Sequence, residues 1–199
     1  MAEDGSWESI RRVGLLSTSA LLDRFEIEGE QRRKIESERR PEIVAIEHPK
    51  LGRVLVRDNK PMHEKSLEKC LLEMTPREWY EHLNQRVFFW AERKRLLKLL
   101  GARENRDRLH LVLEVDTAEL LRRHSERVTL SPINSGATFA LGPAPRGPDT
   151  FRRIADHPDG KPVVELAVDH AVPDITDFVV SVSRWHGVEK LEEVWCRPG

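Results

Sequence analysis

The chain has little cysteine: Cys70 and Cys196 are the two in 199 residues. They lie far apart and match no metal-ligand spacing, so a disulfide framework and a zinc site are both excluded, and two reduced thiols in a cytosolic protein are expected. Net charge is equally scarce. Lys+Arg 33 against Asp+Glu 34 leave -1, so no whole-molecule field draws the chain to nucleic acid or an anionic membrane, and such a partner must use a local patch. No apolar run approaches the roughly 20 residues that span a bilayer, and acidic Glu3 and Asp4 stand where a signal peptide would be positive, which points to the cytoplasm. Glycine-rich phosphate loops of the P-loop and dinucleotide types are missing, which argues against an ATPase or a Rossmann dehydrogenase. The histidines show no His-Glu-x-x-His spacing and the serines no Gly-x-Ser-x-Gly elbow, so metal and serine hydrolase chemistry lack support.

What is present is enough to fold. Hydrophobic residues make up 39% and charged residues 34%, the balance of one globular domain over residues 1–199, with no linker or repeat to divide it. Ser6 followed by Glu8, Ile10 and Val13 reads as a short helix closed by Gly14, and a second helix through Leu21 and Phe25 is capped from Ser17-Thr18-Ser19. Glu26 to Arg40 is almost wholly charged and suits an exposed helix or mobile segment. Ile43–Ile46 and Val54–Val56 flank a hairpin loop, and Thr75-Pro76-Arg77-Glu78 is a capping box that starts a helix. Val87–Trp90 and Leu109–Val115 read as strands, Glu92–Leu100 and Thr117–His124 as helices, and Val128–Leu130 as a short strand. Residues 131–160 form a long irregular loop, of the kind that is more often functional than not. Val163–Val168, Phe178–Val182 and Leu191–Trp195 close the chain as strands, giving an α+β protein with mixed sheets.

Chemistry concentrates at a few positions. Strand alternation puts Glu165 on a face with Val163 and Ala167, opposite Val164, Leu166 and Val168. Two readings stand: an outward carboxylate in water, or a desolvated one whose raised pKa suits it to polarise a hydroxyl or stabilise a developing cation. Arg57 either pairs locally with Asp58 or serves a site, with Arg39 and Arg40 behind it. The segment Ser131-Pro132-Ile133-Asn134-Ser135-Gly136-Ala137-Thr138 offers hydroxyl and amide groups to an anion or ribose, or else makes a self-bonded turn. Basic clusters at Arg32-Arg33-Lys34, Arg93-Lys94-Arg95 and Arg122-Arg123 are interspersed with acids and read as solvated helix faces.

Val163-Val164-Glu165-Leu166-Ala167-Val168, then Val172-Pro173-Asp174-Ile175 and Phe178-Val179-Val180-Ser181-Val182, resemble the closing strands of the DarT-type DNA ADP-ribosyltransferases. Trp7-Glu8-Ser9-Ile10 through Gly14-Leu15-Leu16-Ser17, and Arg86-Val87-Phe88-Phe89-Trp90, are similar to that family's early helix with its Gly-Leu turn and to its aromatic strand, and the three matches keep the family's order. More closely, the chain resembles a family of bacterial proteins sharing Gly-Leu-Leu-Ser-Thr-Ser, Arg-Val-Phe-Phe-Trp and Leu-Ser-Pro-Ile-Asn-Ser-Gly-Ala-Thr, which brings no function of its own. The resemblance implies a split sheet with NAD, the substrate, between its halves, and transfer of ADP-ribose to a nucleic-acid base, a protein or another acceptor. It implies Glu165 and Arg57 as catalytic residues, and Gly14, Leu15, Ser17, Thr18, Phe88, Trp90, Ser131 and Asn134 around the nucleotide. It also implies a first strand bearing a His or Arg, for which only Met1 to Ser6 precede Trp7; a missing strand and a degenerate, non-catalytic binding module are the two explanations. An RNA 2'-phosphotransferase of the same broad fold would need a further basic surface.

Overall fold

Short local signals set most of the elements in the structure, a computed structural model that describes residues 1–138 and 142–198. After a two-residue strand β1 (Ala2–Glu3), helix α1 (Trp7–Val13) ends at Gly14, whose φ of 84° is a region other residues rarely enter. Strand β2 (Leu15–Leu16) follows, and Ser17 caps α2 (Thr18–Arg24) by accepting the Ala20 amide at 3.1 Å. The charged stretch is helical over α3 (Gly29–Glu36), yet it anchors inward through buried Ile35 and Arg40. The expected hairpin is formed by β3 (Val44–His48) and β4 (Gly52–Val56). Helix α4 (Glu64–Cys70) has no side-chain cap and buries only Leu67 and Cys70, so it carries little sequence signature. In α5 (Pro76–Asn84) the capping box closes both ways, Thr75 N–H to Glu78 at 2.7 Å and Glu78 N–H to the Thr75 hydroxyl at 3.3 Å. Then come β5 (Arg86–Trp90), α6 (Arg93–Leu100), β6 (Leu109–Val115) and α7 (Thr117–His124), the last capped by Asp116.

The remaining strands are β7 (Val128–Ser131), β8 (Arg152–Arg153), β9 (Glu165–Asp169), β10 (Ala171–Val172), β11 (Val179–His186) and β12 (Glu189–Cys196). They complete two four-stranded sheets, ordered β1-β6-β11-β12 and β5-β9-β7-β8, while β10 pairs with β2. The α+β class is as expected, but the mixed pairing is not. All named strands pair antiparallel, and the parallel contact among the described residues is one bridge, Leu71 to Arg146. Two of the residues ahead of α1 also prove to be strand, since Ala2 and Glu3 pair with Leu111 and His110 of β6.

The main core lies between the two sheets: Val87, Val128, Leu130, Leu166 and Val168 from one meet Leu111, Val179 and Val182 from the other, with Trp7 and Ile10 at one side. The opposite face of β9 turns Ala167 towards a second cluster of Met62, Leu67, Cys70, Trp79, Tyr80 and Phe151. A third cluster joins the hairpin to α2 and α3 through Leu22, Ile35, Ile46 and Val56. Within the loop at 131–160 stand β8 and two short 3-10 turns, Pro148–Thr150 and Ile154–Asp156; residues 139–141 of that loop lie outside the described residues.

Candidate functional site

Glu165 begins β9, the second strand of its sheet, so it has a neighbour on either side: Trp90 of β5 and Ser131 of β7 stand directly across from it. Directly paired residues project to the same face, and one step along that face Phe88 and Thr129 flank Ala167. The alternation read from the sequence therefore holds, and the outward reading of Glu165 does not. The residue is 5% exposed, and burial pushes its pKa up from 4.5 to about 7. The hydrogen bonds of Ser135 and the charges of Arg146 and Arg95 pull the other way without cancelling the desolvation. The Ser135 amide donates to both carboxylate oxygens, at 3.1 and 3.3 Å.

Arg146 completes this arrangement from the far side of the loop. Its side chain donates to the Ser135 carbonyl at 2.9 Å and to the Ala144 carbonyl at 3.2 Å, and its guanidinium lies 5.9 Å from the Trp79 ring centre. Its backbone is held on both sides, the amide by the Cys70 carbonyl and the carbonyl by the Leu72 amide, each at 2.8 Å. The residue is 3% exposed, and burial lowers the guanidinium's pKa against the opposing pull of Cys70 and Glu165. Ser135 is thus clasped between an acid at its N–H and a base at its carbonyl.

Beside this clasp lies an aromatic group. Phe151 stacks with Trp79 at 6.1 Å between ring centres, sits 5.8 Å from Phe88 and 5.4 Å from His82, and carries the Arg86 guanidinium over its ring at 4.9 Å. Arg86 also pairs with Asp169 at 3.3 Å. Trp79 Nε1, His82 Nε2 and Thr129 Oγ1 are buried here with no hydrogen-bond partner among the described residues. Burial, then the charge of Arg86, pushes the His82 pKa down to about 4, so its ring is neutral at physiological pH.

A family model described as Family of unknown function (DUF7002) matches residues 1–179. The chain belongs to this family. No curated protein and no solved structure matches it. The DUF7002 span takes in every candidate residue named from the sequence, and the structure draws some of them together. Glu165, Trp90 and Ser131 share one row across three strands, with Phe88, 38% exposed, a step away. Gly14, Leu15, Ser17 and Thr18 lie by the other end of β9, where Ser17 N–H donates to the His170 carbonyl and His170 N–H to the Gln85 carbonyl. Leu15 pairs with Val172, and a Cβ on Gly14 would fall 2.4 Å from Pro173 Cα, so this turn requires glycine for space as well as for conformation.

Three candidate roles need correction. The Ser131 hydroxyl both donates to the Ile133 carbonyl and accepts the Ile133 amide, and Asn134 Oδ1 accepts the Gly136 amide, so these polar atoms close a turn. Arg57 is exposed and donates to Asn105 Oδ1 at 2.7 Å, while the cations that act on Glu165 are Arg146 and Arg95. Behind Arg57, Arg40 is a buried tie that donates to the carbonyls of Arg57 and Ile35 and to Asn84. Sequence reasoning misses Arg146 because nothing in Pro143-Ala144-Pro145-Arg146-Gly147-Pro148 indicates which distant backbone it will meet. Among the described residues no group of three or more His, Cys, Asp or Glu is placed to hold a metal ion, and no helix is long and apolar enough to cross a membrane.

Proposed function

We propose that this chain is an ADP-ribosyltransferase-like protein that uses NAD as substrate, with Glu165 as its catalytic carboxylate. The observation that carries the reading is the row Trp90, Glu165, Ser131, in which a desolvated carboxylate with a pKa near 7 stands beside an aromatic ring. In the transfer, the bond from the ribose anomeric carbon to the nicotinamide nitrogen breaks and nicotinamide leaves as a neutral base. The acceptor's lone pair forms the new bond to that carbon and its proton departs to a base. Glu165, when ionised, stabilises the cationic ribose in between and hydrogen-bonds a ribose hydroxyl; stabilising charge that develops in a water-poor site is the main physical source of such rate gains. Trp90 or Phe88 supplies a flat apolar surface for the nicotinamide or for an acceptor base.

Direct engagement of Glu165 requires the surface over its buried carboxylate to open, since the residue is 5% exposed, and this supports a second reading. A carboxylate 5% exposed and already satisfied by the loop also fits a non-catalytic nucleotide-binding or interaction module of the same fold, in which Glu165 fixes the loop.

Calorimetric titration with NAD, followed by a nicotinamide-release assay on the wild type and Glu165→Gln, separates the two. The transferase reading expects NAD to bind, the wild type to release nicotinamide, and Glu165→Gln to abolish release while changing NAD affinity only several-fold, because the lost interaction acts in the transition state. Binding without release in the wild type supports the module. Turnover that persists in Glu165→Gln removes the carboxylate from the mechanism, and no NAD binding at all sinks the transferase reading and leaves only an interaction module.

A further inference from the structure

Away from Glu165, a groove of about 390 Å³ runs between the turn that follows α3, the start of α4 and the first turn of α5. Its size lies within the roughly 300–1,000 Å³ of small-molecule sites. Arg39 and Glu64 line it, and neither is in an ion pair among the described residues, although the surface around them is rich in pairs such as Arg77 with Glu81 at 2.9 Å. Arg39 is held in place by donating from Nε to the Met62 carbonyl at 2.7 Å and from Nη2 to the Lys60 carbonyl at 3.1 Å, which leaves its remaining N–H groups available.

Tyr80 also lines the groove. It is 2% exposed, packed into the cluster with Met62 and Leu67, and its hydroxyl has no hydrogen-bond partner among the described residues. An unpaired buried hydroxyl costs about 1–3 kcal/mol, and because this oxygen is covered in the free protein, a polar group offsets that cost once the groove wall shifts to admit it. Burial first, and then the nearby Glu64 carboxylate, push the Tyr80 hydroxyl's pKa up to about 12, against Arg39 and Arg40, so it is a neutral donor and acceptor at physiological pH.

We propose that this groove is a binding site for a small zwitterion of the amino-acid type, its carboxylate on Arg39, its ammonium on Glu64 and one of its polar groups on the Tyr80 hydroxyl. The mixed sign of the walls decides the class. A simple anion such as phosphate would meet Glu64, and a simple amine would meet Arg39, so each lacks one favourable contact and gains a repulsion. The site is independent of the NAD reading, because none of its residues belongs to the Glu165 row.

The test is calorimetry or saturation-transfer NMR on the full chain with glycine, glutamate, lysine and phenylalanine in turn, with inorganic phosphate and methylamine as single-charge probes. At least one amino acid is expected to bind, more tightly than either single-charge probe. Tyr80→Phe and Glu64→Gln are each expected to weaken that binding by about tenfold or more, or ~1.4 kcal/mol. Tyr80→Phe deletes one unpaired atom and is expected to fold at least as stably as the wild type, which Glu64→Gln on an exposed helix end is also expected to do. Phosphate binding as well as any amino acid, no amino acid binding at about 10 mM, a level at which a ligand of ~1 mM Kd would nearly saturate, or equal affinity in folded Tyr80→Phe and wild type would each overturn the proposal.

Discussion

Glu165 is legible in the sequence because strand alternation is a two-way choice, and a carboxylate among valines, leucine and alanine marks one of the two faces. Its partners are not. Ser135 reaches it through a loop and Arg146 through a backbone tie to Cys70 and Leu72, contacts with no period or spacing. This clasp is open to spectroscopy. The Ser135 amide donates directly to the carboxylate, so its chemical shift in NMR is expected to titrate with Glu165, with a midpoint near 7 and well above the ordinary 4.5. Replacing the guanidinium in Arg146→Gln removes a charge that favours the ionised acid, so the midpoint is expected to move higher, with a stability loss of about 2–4 kcal/mol from the bonds left unmade. A wild-type midpoint near 4.5 would show that Glu165 is solvated after all.

At the scale of elements, those with strong local chemistry are readable. Thr75 to Glu78 announce α5, Gly14 ends α1, and the β-branched runs about His48 to Gly52 give the hairpin. Elements held mainly from outside are not: β2 and β10 have two residues each and exist because they pair with one another, while α4 is mostly charged and depends on Leu67 and Cys70 for its seat. The β2 and β10 pair hangs on one position. In Gly14→Ala the new methyl meets Pro173 Cα at 2.4 Å and the Val172 carbonyl at 2.5 Å, on a backbone with φ of 84°. Because nothing but main chain can give way, a loss of more than about 3 kcal/mol is expected, seen as a lower urea midpoint with an unchanged slope. A loss under about 1 kcal/mol would mean that the turn and the strand pair move apart easily.

Over the whole molecule, the α+β class follows from the order of strands and helices, but the arrangement of two antiparallel sheets around a shared core does not. It depends on β6 pairing with β11 and β5 with β9, across long stretches of chain. Stacking helices on the far side of one sheet buries two titratable groups with opposite preferences, and proton uptake shows the result. Folded Glu165 binds a proton more readily than the unfolded chain between pH 4.5 and about 7, so its share of stability falls as pH rises through that window. Folded His82 binds one less readily between about 4 and 6.5, so its share falls as pH drops. From about 4.5 to 6.5 the two slopes oppose, and the wild type's melting temperature is expected to be nearly level with respect to these two groups. Glu165→Gln leaves His82 alone, and its stability is expected to decline on acidification from pH 6.5 to 4. His82→Gln leaves Glu165 alone, and is expected to gain stability over the same range, by at most about 3 kcal/mol for a displacement from 4.5 to about 7. Calorimetric scans of the three proteins across pH 4–8 check this. Parallel profiles would mean that neither group keeps its unusual proton affinity, whereas diverging ones would show a protein insensitive to mild acid because an acid and a base offset each other inside it.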